Sequence, residues 1–498
     1  MKPNIIEILD NISKEYPEKL AIIDKNRAIT FGELESELKK TAQYFLSKGI
    51  VKGDNVLVFV PMSIDLYRVS LALNYIGATA IFIEDWITFK QLKWCCQKSK
   101  PKAIVTTSKG LLFCRFTKSL KQLDLKINHN KHSSTEQIKE PVINEPEAIA
   151  IISFTTGSSG VPKMLSRSFD FLTQQFYTLS KVKNSSSSDI ELITIPVFLF
   201  LNLAIGVTSV IADFNILKPD KIDFKKIESQ ITKHNVNGIC SSPSFVIKLA
   251  QSITESGIKS SIRKVITGGA PVFPDDATVL CNTFSEADIL ILYGASEVEP
   301  ISTIEGFILS EKAEDIEKGL NVGIIHPETN VKIKPLNKST TDNSELISNI
   351  IGEILVSGSN VLLNNLENFT NSKNNNKDDK LWHFTGDTGY INSSNELILT
   401  GPLLAILRHK DRYWSPFIFE GITKSIEGIE KTTLQKIDNK LVAVVQINKS
   451  FNRSVIMEKL NALNFPLDKI VFIPQMPKDP RHNGKIDYIK LKKIIHKI

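Results

Sequence analysis

Cysteine is scarce in this sequence, with five residues in 498. An odd number of cysteines cannot all pair with one another, and their spacing matches no metal-binding motif. They lie among apolar or helical-looking residues, at Cys95, Cys96, Cys114, Cys240 and Cys281. We therefore expect free thiols in a reducing cytoplasm, which excludes a small disulfide-stabilised secreted protein.

The sequence also lacks an arginine-rich segment with interleaved aromatic residues, which is typical of nucleic-acid-binding proteins. Its net charge of +7 comes from many dispersed lysines. Such a charge favours anionic ligands only weakly. We expect no nucleic-acid partner.

The first ten residues do not fit the h-region of a secretory signal, since acidic side chains interrupt their short apolar stretch, and we expect no secretion. One uncharged segment, residues 192–212, is long enough to cross a bilayer. Pro196, Asn202 and Gly206 interrupt it, and no second segment matches it. A strand followed by a buried helix is the better interpretation, so we expect no transmembrane span. The alternative of a membrane protein depends on this segment alone.

The remaining composition is that of a large soluble globular protein. The chain is too long for one hydrophobic core, and its residues are 42% apolar and 23% charged. Strand-like and helix-like segments alternate along the chain, and the strand-like ones are residues 55–60, 78–83 and 103–106. This alternation predicts a mainly parallel sheet with helices on its faces. A second alternating run, residues 191–253, predicts a second sheet packed with the first.

Two stretches near the N-terminus lead to local predictions. Thr30 immediately precedes a helical pattern, and Glu33 lies three residues after Thr30. This spacing is the arrangement of a capping box. Residues 111–144 lose the alternation and become basic and polar. We predict that they form a surface excursion, without catalytic residues, before the sheet resumes.

The most informative stretch is residues 154–163, with the sequence FTTGSSGVPK. It follows the apolar residues 148–152, so its glycines and hydroxyls fall in the loop where a strand ends. Glycines let the backbone approach an anion, hydroxyls and N–H groups donate to its oxygens, and Lys163 adds positive charge. The spacing differs from that of a P-loop, so a kinase-type or GTPase-type site is not predicted. Taken alone, a solvated Ser/Gly loop is an equally good interpretation.

Three further segments combine a strand end with chemically useful residues. They are residues 264–271 (KVITGGAP), residues 289–297 (ILILYGASE), and residues 352–358 (GEILVSG) followed by residues 382–387 (WHFTGD). A Gly-Gly strand end leaves the backbone open to a flat ring. Each segment taken singly is more often structural than functional.

In this order the segments resemble the adenylate-forming superfamily, which includes acyl-CoA synthetases, peptide-synthetase adenylation domains and luciferases. The resemblance extends over nearly the whole chain. It implies an α/β fold in which a large N-terminal domain, residues 1–400, contains two packed α/β subdomains and a small β-rich subdomain. Residues 401–498 would form a small, mobile α+β C-terminal domain. The implied activity is the activation of a carboxylic acid by ATP to an acyl-adenylate, with release of pyrophosphate.

The resemblance also implies roles for individual residues in binding ATP. The β- and γ-phosphates would contact the loop residues Thr155, Thr156, Gly157, Ser158, Ser159, Gly160 and Lys163. The adenine would lie beside Gly269, Ala270 and Pro271, and on Tyr293, which Gly294 follows.

Four more residues would act on the reacting groups and the ribose. Ser296 would lie near the α-phosphate, Glu297 would hold Mg²⁺, and Asp387 would accept from the ribose hydroxyls. Lys485, in a Pro- and Gly-rich loop near the C-terminus, would orient the carboxylate at the α-phosphate and offset charge in the transition state.

The sequence departs from the family pattern at four positions. Met164 and Asp411 occupy positions where glycine is usual, Pro402 replaces an arginine, and Leu404 replaces a polar hinge residue. An Asp at position 411 adds bulk and negative charge where a phosphate-bearing thiol would pass. We therefore expect adenylation to outpace transfer to coenzyme A. The departures also favour an alternative, a catalytically degenerate nucleotide- or acyl-binding protein.

The substrate is predicted from the branch of the family that the chain resembles. Residues 196–211, 293–300 and 481–485 look most like fatty-acyl ligases and the β-lactone synthetases of bacterial olefin formation. This implies a fatty acid as substrate, with ATP and Mg²⁺ as cofactors. Coenzyme A and an acyl carrier protein are the candidate acceptors.

Overall fold

The computed structural model describes most of the chain, in ranges separated by short gaps. The described residues are 3–83, 87–130, 138, 140–155, 161–215, 221–258, 260–336, 351–362, 369–371, 381–410, 412–448, 450–477 and 486–495. The chain divides into two compact units. Unit 1 is Met1–Ser241, Ser252–Ile266 and Leu362–Leu366, and unit 2 is Ser242–Gln251, Thr267–Val361 and Glu367–Ile498. The domain boundary after residue 400 stays a prediction.

The first part of unit 1 alternates helices and strands. Its elements are α1 (Ile5–Glu15), β1 (Leu20–Ile23), β2 (Ala28–Thr30), α2 (Phe31–Ser47), β3 (Asn55–Phe59), α3 (Ile64–Tyr75), β4 (Thr79–Phe82), α4 (Phe89–Ser99), β5 (Ala103–Thr106), α5 (Ser108–Phe116), α6 (Lys118–Lys121), β6 (Leu125–Asn128), β7 (Ile149–Thr155) and β8 (Lys163–Ser168). Six strands form a sheet of order β6-β5-β3-β4-β7-β8. All neighbouring strands of this sheet are parallel, except that β7 and β8 are antiparallel to each other. The predicted, mainly parallel sheet is therefore confirmed.

The capping box predicted at the start of α2 is present. The Thr30 hydroxyl accepts from the Glu33 N–H at 3.2 Å, and the Glu33 carboxylate accepts from the Thr30 N–H at 2.9 Å. These two bonds satisfy N–H groups that have no partner inside the helix. The local sequence was sufficient to predict where this helix begins.

The prediction for residues 111–144 was wrong in one respect. These residues include most of α5, all of α6 and the edge strand β6, which pairs in parallel with β5. The sheet therefore continues through this region. Only Ile127 of the four residues of β6 is buried. An edge strand with one buried side chain gives little hydrophobic pattern, which explains the error.

The second part of unit 1 builds the second predicted sheet. Its elements are α7 (Phe169–Lys183), β9 (Ile190–Ile193), α8 (Pro196–Ile205), β10 (Thr208–Ile211), α9 (Phe224–Lys233), β11 (Gly238–Ser241), α10 (Pro243–Ser256) and β12 (Lys264–Gly268). Helix α10 begins in unit 2 and ends in unit 1, and β12 begins in unit 1 and ends in unit 2. In this part of the sheet the strands lie side by side in the order β12-β11-β9-β10-β1-β2. Strands β11, β9, β10 and β1 pair in parallel, and β2 is antiparallel to β1.

The uncharged residues 192–212 fold as a strand end, the short helix α8 and the strand β10. The predicted strand and helix are confirmed, and β10 is an addition. Helix α8 begins with Pro196 and is capped by Gly206, which follows its last residue, and both residues are among those that interrupt the apolar run. Among the described residues, no helix is both long enough and apolar enough to span a membrane.

All five cysteines are free thiols, as expected. Burial raises the pKa of Cys95 to about 12 and that of Cys96 to about 11. Cys240 is buried and donates to Glu191, which also pairs with Lys183 at 2.5 Å. Thiols with raised pKa values are poor nucleophiles, so these side chains pack rather than react.

Unit 2 is richer in β-structure. Its further elements are α11 (Pro274–Thr283), β13 (Asp288–Ala295), β14 (Val298–Glu305), α12 (Gly306–Ser310), β15 (Leu320–Ile325), β16 (Thr329–Pro335), β17 (Gly352–Gly358), β18 (Phe369–Asn371), β19 (Leu381–Ile391), β20 (Glu396–Pro402), β21 (Leu407–His409), β22 (Arg412–Trp414), α13 (Pro416–Lys424), β23 (Ile429–Ile437), β24 (Lys440–Ile447), α14 (Arg453–Asn461), β25 (Lys469–Phe472) and α15 (Tyr488–Ile495). A sheet of order β16-β17-β19-β20-β15-β14-β13 is followed by the hairpin β21-β22 and the sheet β23-β24-β25. This agrees with the predicted β-rich subdomain and α+β C-terminal part.

Residues 401–498 contact the preceding part of unit 2 through α13. Lys424 forms an ion pair with Asp276, and the rings of Phe273 and Phe417 lie 5.4 Å apart. Gly401 has a φ of +106°, and a Cβ there would lie 2.5 Å from Phe417 Cβ. A glycine is therefore needed where β20 passes α13.

Candidate active site

The predicted phosphate loop lies between two paired strands of unit 1. Thr155 is the last residue of β7, Lys163 is the first residue of β8, and the two are directly opposite in the antiparallel pair. Thr155 is buried and Lys163 is partly buried. The five residues from Thr156 to Gly160 lie outside the described residues. The strand that precedes the loop is confirmed, and the phosphate-binding role stays a prediction.

Met164, the first departure from the family pattern, has a structural explanation. It lies opposite Phe154 in the β7–β8 pair. It also packs against the hydrophobic cluster that contains Phe154 and Ile152. A long apolar side chain therefore adds core contacts to β8 at a position where glycine would add none.

The end of β12 leaves its backbone open. Gly269 has a φ of +83°, and a Cβ built there would find no atom of the described residues within 4 Å. Ala270 and Pro271 follow it and are partly buried. An open backbone beside a strand end can accommodate a flat ring, as predicted for the adenine.

Tyr293 and Asp387 are brought together in unit 2, although they are 94 residues apart in the sequence. Tyr293 lies on β13 just before Gly294, and its hydroxyl donates to Asp387 Oδ2 at 2.9 Å. Burial raises the pKa of Tyr293 well above its usual value, and the Asp387 charge raises it further. The hydroxyl therefore stays protonated and keeps donating at neutral pH.

Thr385 positions Asp387, a role that was not predicted. Its hydroxyl accepts from the Asp387 N–H at 3.1 Å and donates to the Ile354 carbonyl at 2.9 Å. These bonds fix the turn in β19 before the carboxylate and connect it to β17. A threonine two residues before an Asp can form such a turn, and this spacing was the available signal.

Ser296 and Glu297 form the turn between β13 and β14. Ala295 and Val298, which flank them, are paired across the hairpin. Both turn residues are partly buried. Mg²⁺ in nucleotide sites is held by one or two carboxylates together with phosphate oxygens. A single carboxylate on a fixed turn fits that requirement, and the described residues contain no cluster of three His, Cys, Asp or Glu that could hold a metal.

Lys485 lies outside the described residues, but the chain on both sides of its segment is held. The Asp487 N–H donates to the Pro477 carbonyl at 3.0 Å, which joins the two flanks of the segment. The Tyr488 hydroxyl donates to Glu420 Oε1 at 2.6 Å. Glu420 thus anchors the chain three residues beyond Lys485.

Glu420 has an unusual electrostatic environment. Burial raises its pKa to about 7, and hydrogen bonds from Thr433 and Tyr488 and the charge of Lys431 oppose that rise only in part. Thr433 and Tyr488 both donate to Oε1, at 2.6 Å each. A neutral carboxylic acid still accepts both bonds at its carbonyl oxygen. The anchor therefore persists when Glu420 is protonated.

The other departures from the family pattern lie near the start of the C-terminal part. Pro402 is opposite Asp387 in the β19–β20 pair. Leu404 lies in a short 3₁₀ turn and is 79% exposed. Asp411 lies outside the described residues. A proline therefore pairs with Asp387 across the strands, and a leucine occupies the position of the hinge.

Comparison with known proteins identifies the family of this chain. The profile of the AMP-binding enzyme family matches residues 9–364. The olefin beta-lactone synthetase of Xanthomonas campestris pv. campestris is 24% identical, over 80% of this chain and 78% of that protein. The olefin beta-lactone synthetase of Stenotrophomonas maltophilia is 23% identical, over 98% of this chain and 97% of that protein. The 4-coumarate–CoA ligase 1 of Petroselinum crispum is 23% identical, over 96% of this chain and 91% of that protein.

The fold is shared with solved structures of the same kind. O-succinylbenzoate coenzyme A synthetase from Bacillus subtilis, in complex with ATP and magnesium ion, superposes with a TM-score of 0.77. The two sequences are 18% identical, and the match covers 97% of this chain and 99% of that one. Fold and motifs therefore define an adenylate-forming enzyme. The chain belongs to the AMP-binding enzyme family and is an AMP-forming acid ligase that converts a carboxylic acid to its acyl-adenylate.

The raised pKa of Glu420 predicts a pH dependence of stability. Between about pH 4.5 and about pH 7 the folded protein retains a proton that the unfolded chain loses, so stability should fall as pH rises through this window. Glu420→Gln removes this titration. The stability advantage of the wild type over Glu420→Gln should therefore decrease by on the order of 2 kcal/mol across the window, measured by denaturant unfolding.

Glu427→Gln, which changes an exposed carboxylate in the same C-terminal part, is the control and should leave the pH profile unchanged. Parallel profiles for the wild type and Glu420→Gln would contradict the raised pKa.

Proposed function

We propose that this ligase activates a fatty acid bearing a β-hydroxyl group, and that the resulting adenylate closes to a β-lactone. The observation that supports the nucleotide chemistry most directly is the hydrogen bond from Tyr293 to Asp387. It places an aromatic ring next to a carboxylate, and these are the two groups needed to bind an adenine and its ribose.

In unit 2, the proposed contacts are to the nucleoside. The adenine lies on the Tyr293 ring and beside the open backbone of Gly269. Asp387 accepts from the two ribose hydroxyls. A carboxylate has about four acceptor sites, so one such group can accept from a phenol and from both ribose hydroxyls together.

The phosphates and the metal require other residues. In unit 1, the hydroxyl of Thr155, the ammonium of Lys163 and the residues between them are the proposed partners of the β- and γ-phosphates. In unit 2, Ser296 contacts the α-phosphate and Glu297 contributes the protein ligand of Mg²⁺. When bound, the metal offsets the charge of the phosphate oxygens and improves pyrophosphate as a leaving group.

Lys485 is the proposed catalytic residue. Its ammonium orients the substrate carboxylate for attack on the α-phosphorus and offsets the charge that develops there. The Tyr488–Glu420 hydrogen bond fixes the chain shortly after it. That anchor reduces the conformational freedom that would be lost when the lysine engages the substrate.

The fatty nature of the acid is supported by relatives rather than by a pocket. Two of the curated relatives are olefin beta-lactone synthetases. The apolar side chains of α8 that could have contacted an alkyl chain, Phe198, Leu199, Leu201 and Leu203, are buried in the core. Core packing explains these residues, so they give no independent support for the substrate.

The proposed acceptor follows from the contacts of the C-terminal part. Transfer to coenzyme A in the adenylate-forming family requires that part to rotate about its hinge. Rotation here would break the Lys424–Asp276 ion pair and the Phe273–Phe417 contact. An intramolecular reaction needs no rotation. The β-hydroxyl oxygen attacks the acyl carbon, AMP leaves, and the hydroxyl proton passes to water.

Replacement of Lys485 by alanine tests the catalytic assignment. Acid-dependent pyrophosphate release should fall about 10²- to 10³-fold, while ATP affinity stays within a few-fold of the wild-type value, because the lysine acts mainly on the transition state. Asp387→Ala should instead weaken ATP binding, measured by calorimetry, because it removes the proposed acceptor of the ribose hydroxyls. Lys459→Ala, an exposed lysine of α14, is the control and should keep full activity. Wild-type rates in Lys485→Ala would refute the assignment.

The products identify the acceptor. The enzyme is incubated with ATP, Mg²⁺ and either a fatty acid or its 3-hydroxy analogue, with and without coenzyme A, and the products are analysed by mass spectrometry. We expect β-lactone from the hydroxy acid whether or not coenzyme A is present. Rapid stoichiometric acyl-CoA would overturn the lactone proposal and leave acid activation intact.

A further inference from the structure

One part of unit 1 has an unusually high positive charge. Residues 87–130 contain ten lysines and arginines and one acidic residue, Asp124. The whole chain has a net charge of only +7. Although lysines occur throughout the chain, an excess of positive over negative charge is concentrated around helices α4, α5 and α6 and strand β6.

Helix α5 exposes apolar side chains in the middle of this charge. Leu112 is 54% exposed and Phe116 is 81% exposed, and their spacing places them on one helix face. Phe89, at the start of α4, is 69% exposed and lies 5.7 Å from the ring of Phe113, one turn before Phe116. Isolated exposed apolar residues are common, whereas contiguous exposed apolar side chains are typical of interaction sites.

The same face is lined by cations. Lys109 precedes Leu112 by three residues and Arg115 follows it by three, so both flank the apolar side chains. We call Phe89, Lys109, Leu112, Arg115 and Phe116 the α5 surface. The opposite face of the helix, which includes Gly110 and Cys114, is buried. Helix α5 is therefore anchored in the core and presents an apolar face with a basic rim.

A groove adjoins the α5 surface. Its volume is about 590 Å³, and Lys48, Arg115 and Lys126 contribute three cations to its lining. Lys48 extends from the end of α2, with its ammonium 5.3 Å from the Tyr44 ring centroid. Lys126 donates to the Leu123 carbonyl at 2.5 Å. Three cations around a groove next to exposed apolar side chains match an anionic head group attached to hydrocarbon.

We propose that the α5 surface and this groove dock the enzyme onto an anionic lipid bilayer. Phosphate head groups occupy the basic groove, and Phe116, Leu112 and Phe89 insert into the interface between head groups and acyl chains. Aromatic and leucine side chains surrounded by Lys and Arg are the composition of interfacial membrane-binding helices. An acidic protein partner would satisfy the charge, but it would not need three large apolar side chains at the centre of the face.

Vesicle sedimentation tests this proposal without ATP or acid, so its outcome is independent of the proposed function. The wild type should sediment with vesicles that contain phosphatidylglycerol, and not with phosphatidylcholine alone. Binding should weaken as salt screens the charges. Lys109→Glu/Arg115→Glu should lower the vesicle partition coefficient at least ~10-fold. Leu112→Ser/Phe116→Ser should lower it by a similar factor and should keep pyrophosphate release from a soluble acid.

Matched controls come from elsewhere in the chain. Lys225→Glu/Lys233→Glu makes the same charge change on the exposed face of α9, and Phe307→Ser removes a phenylalanine that is 63% exposed on α12. Both should bind vesicles as the wild type does. The proposal is overturned if the wild type remains in the supernatant, or if the α5 variants bind like the controls. It is also overturned if those variants retain vesicle binding but lose binding to purified acyl carrier protein, which would identify a protein-docking face.

Discussion

The hydrogen bond from Tyr293 to Asp387 is the contact on which the proposed nucleoside-binding site depends. Its two residues come from β13 and β19, which are not neighbours in their sheet, so the bond exists only when the whole β-rich sheet is formed. Burial keeps the phenol protonated, and Thr385 fixes the backbone of the carboxylate. A preformed ring and acceptor do not have to be ordered when a ligand binds.

The C-terminal part shows a second constraint, which concerns movement. Its α13 contacts α11 through an ion pair and an aromatic pair, and its Glu420 anchors the end of the segment that contains Lys485. These contacts favour one arrangement of unit 2. Under our proposal, adenylation and an intramolecular closure leave these contacts intact, whereas a rotation of the C-terminal part for transfer to coenzyme A would break them.

Much of the fold was predictable because its signals are local. Thr30 and Glu33 located a helix start, and apolar runs ending in glycines located the strands near the site. The edge strand β6 was missed because it buries one side chain, and Thr385 and Glu420 were missed because their partners, Ile354 and Tyr488, are distant in sequence. The basic, aromatic α5 surface was missed because average charge conceals a local concentration. Only a folded chain shows which side chains remain exposed.

The central claim is that the chain catalyses adenylate formation, and acid-dependent exchange of labelled pyrophosphate into ATP measures that step alone. The exchange requires ATP, Mg²⁺ and a carboxylic acid, and it does not depend on the final acceptor. We expect label in ATP when a fatty or 3-hydroxy fatty acid is present and background label when the acid is omitted. ATP binding without exchange for any acid in a broad panel would contradict the claim and identify a nucleotide-binding protein that has lost catalysis.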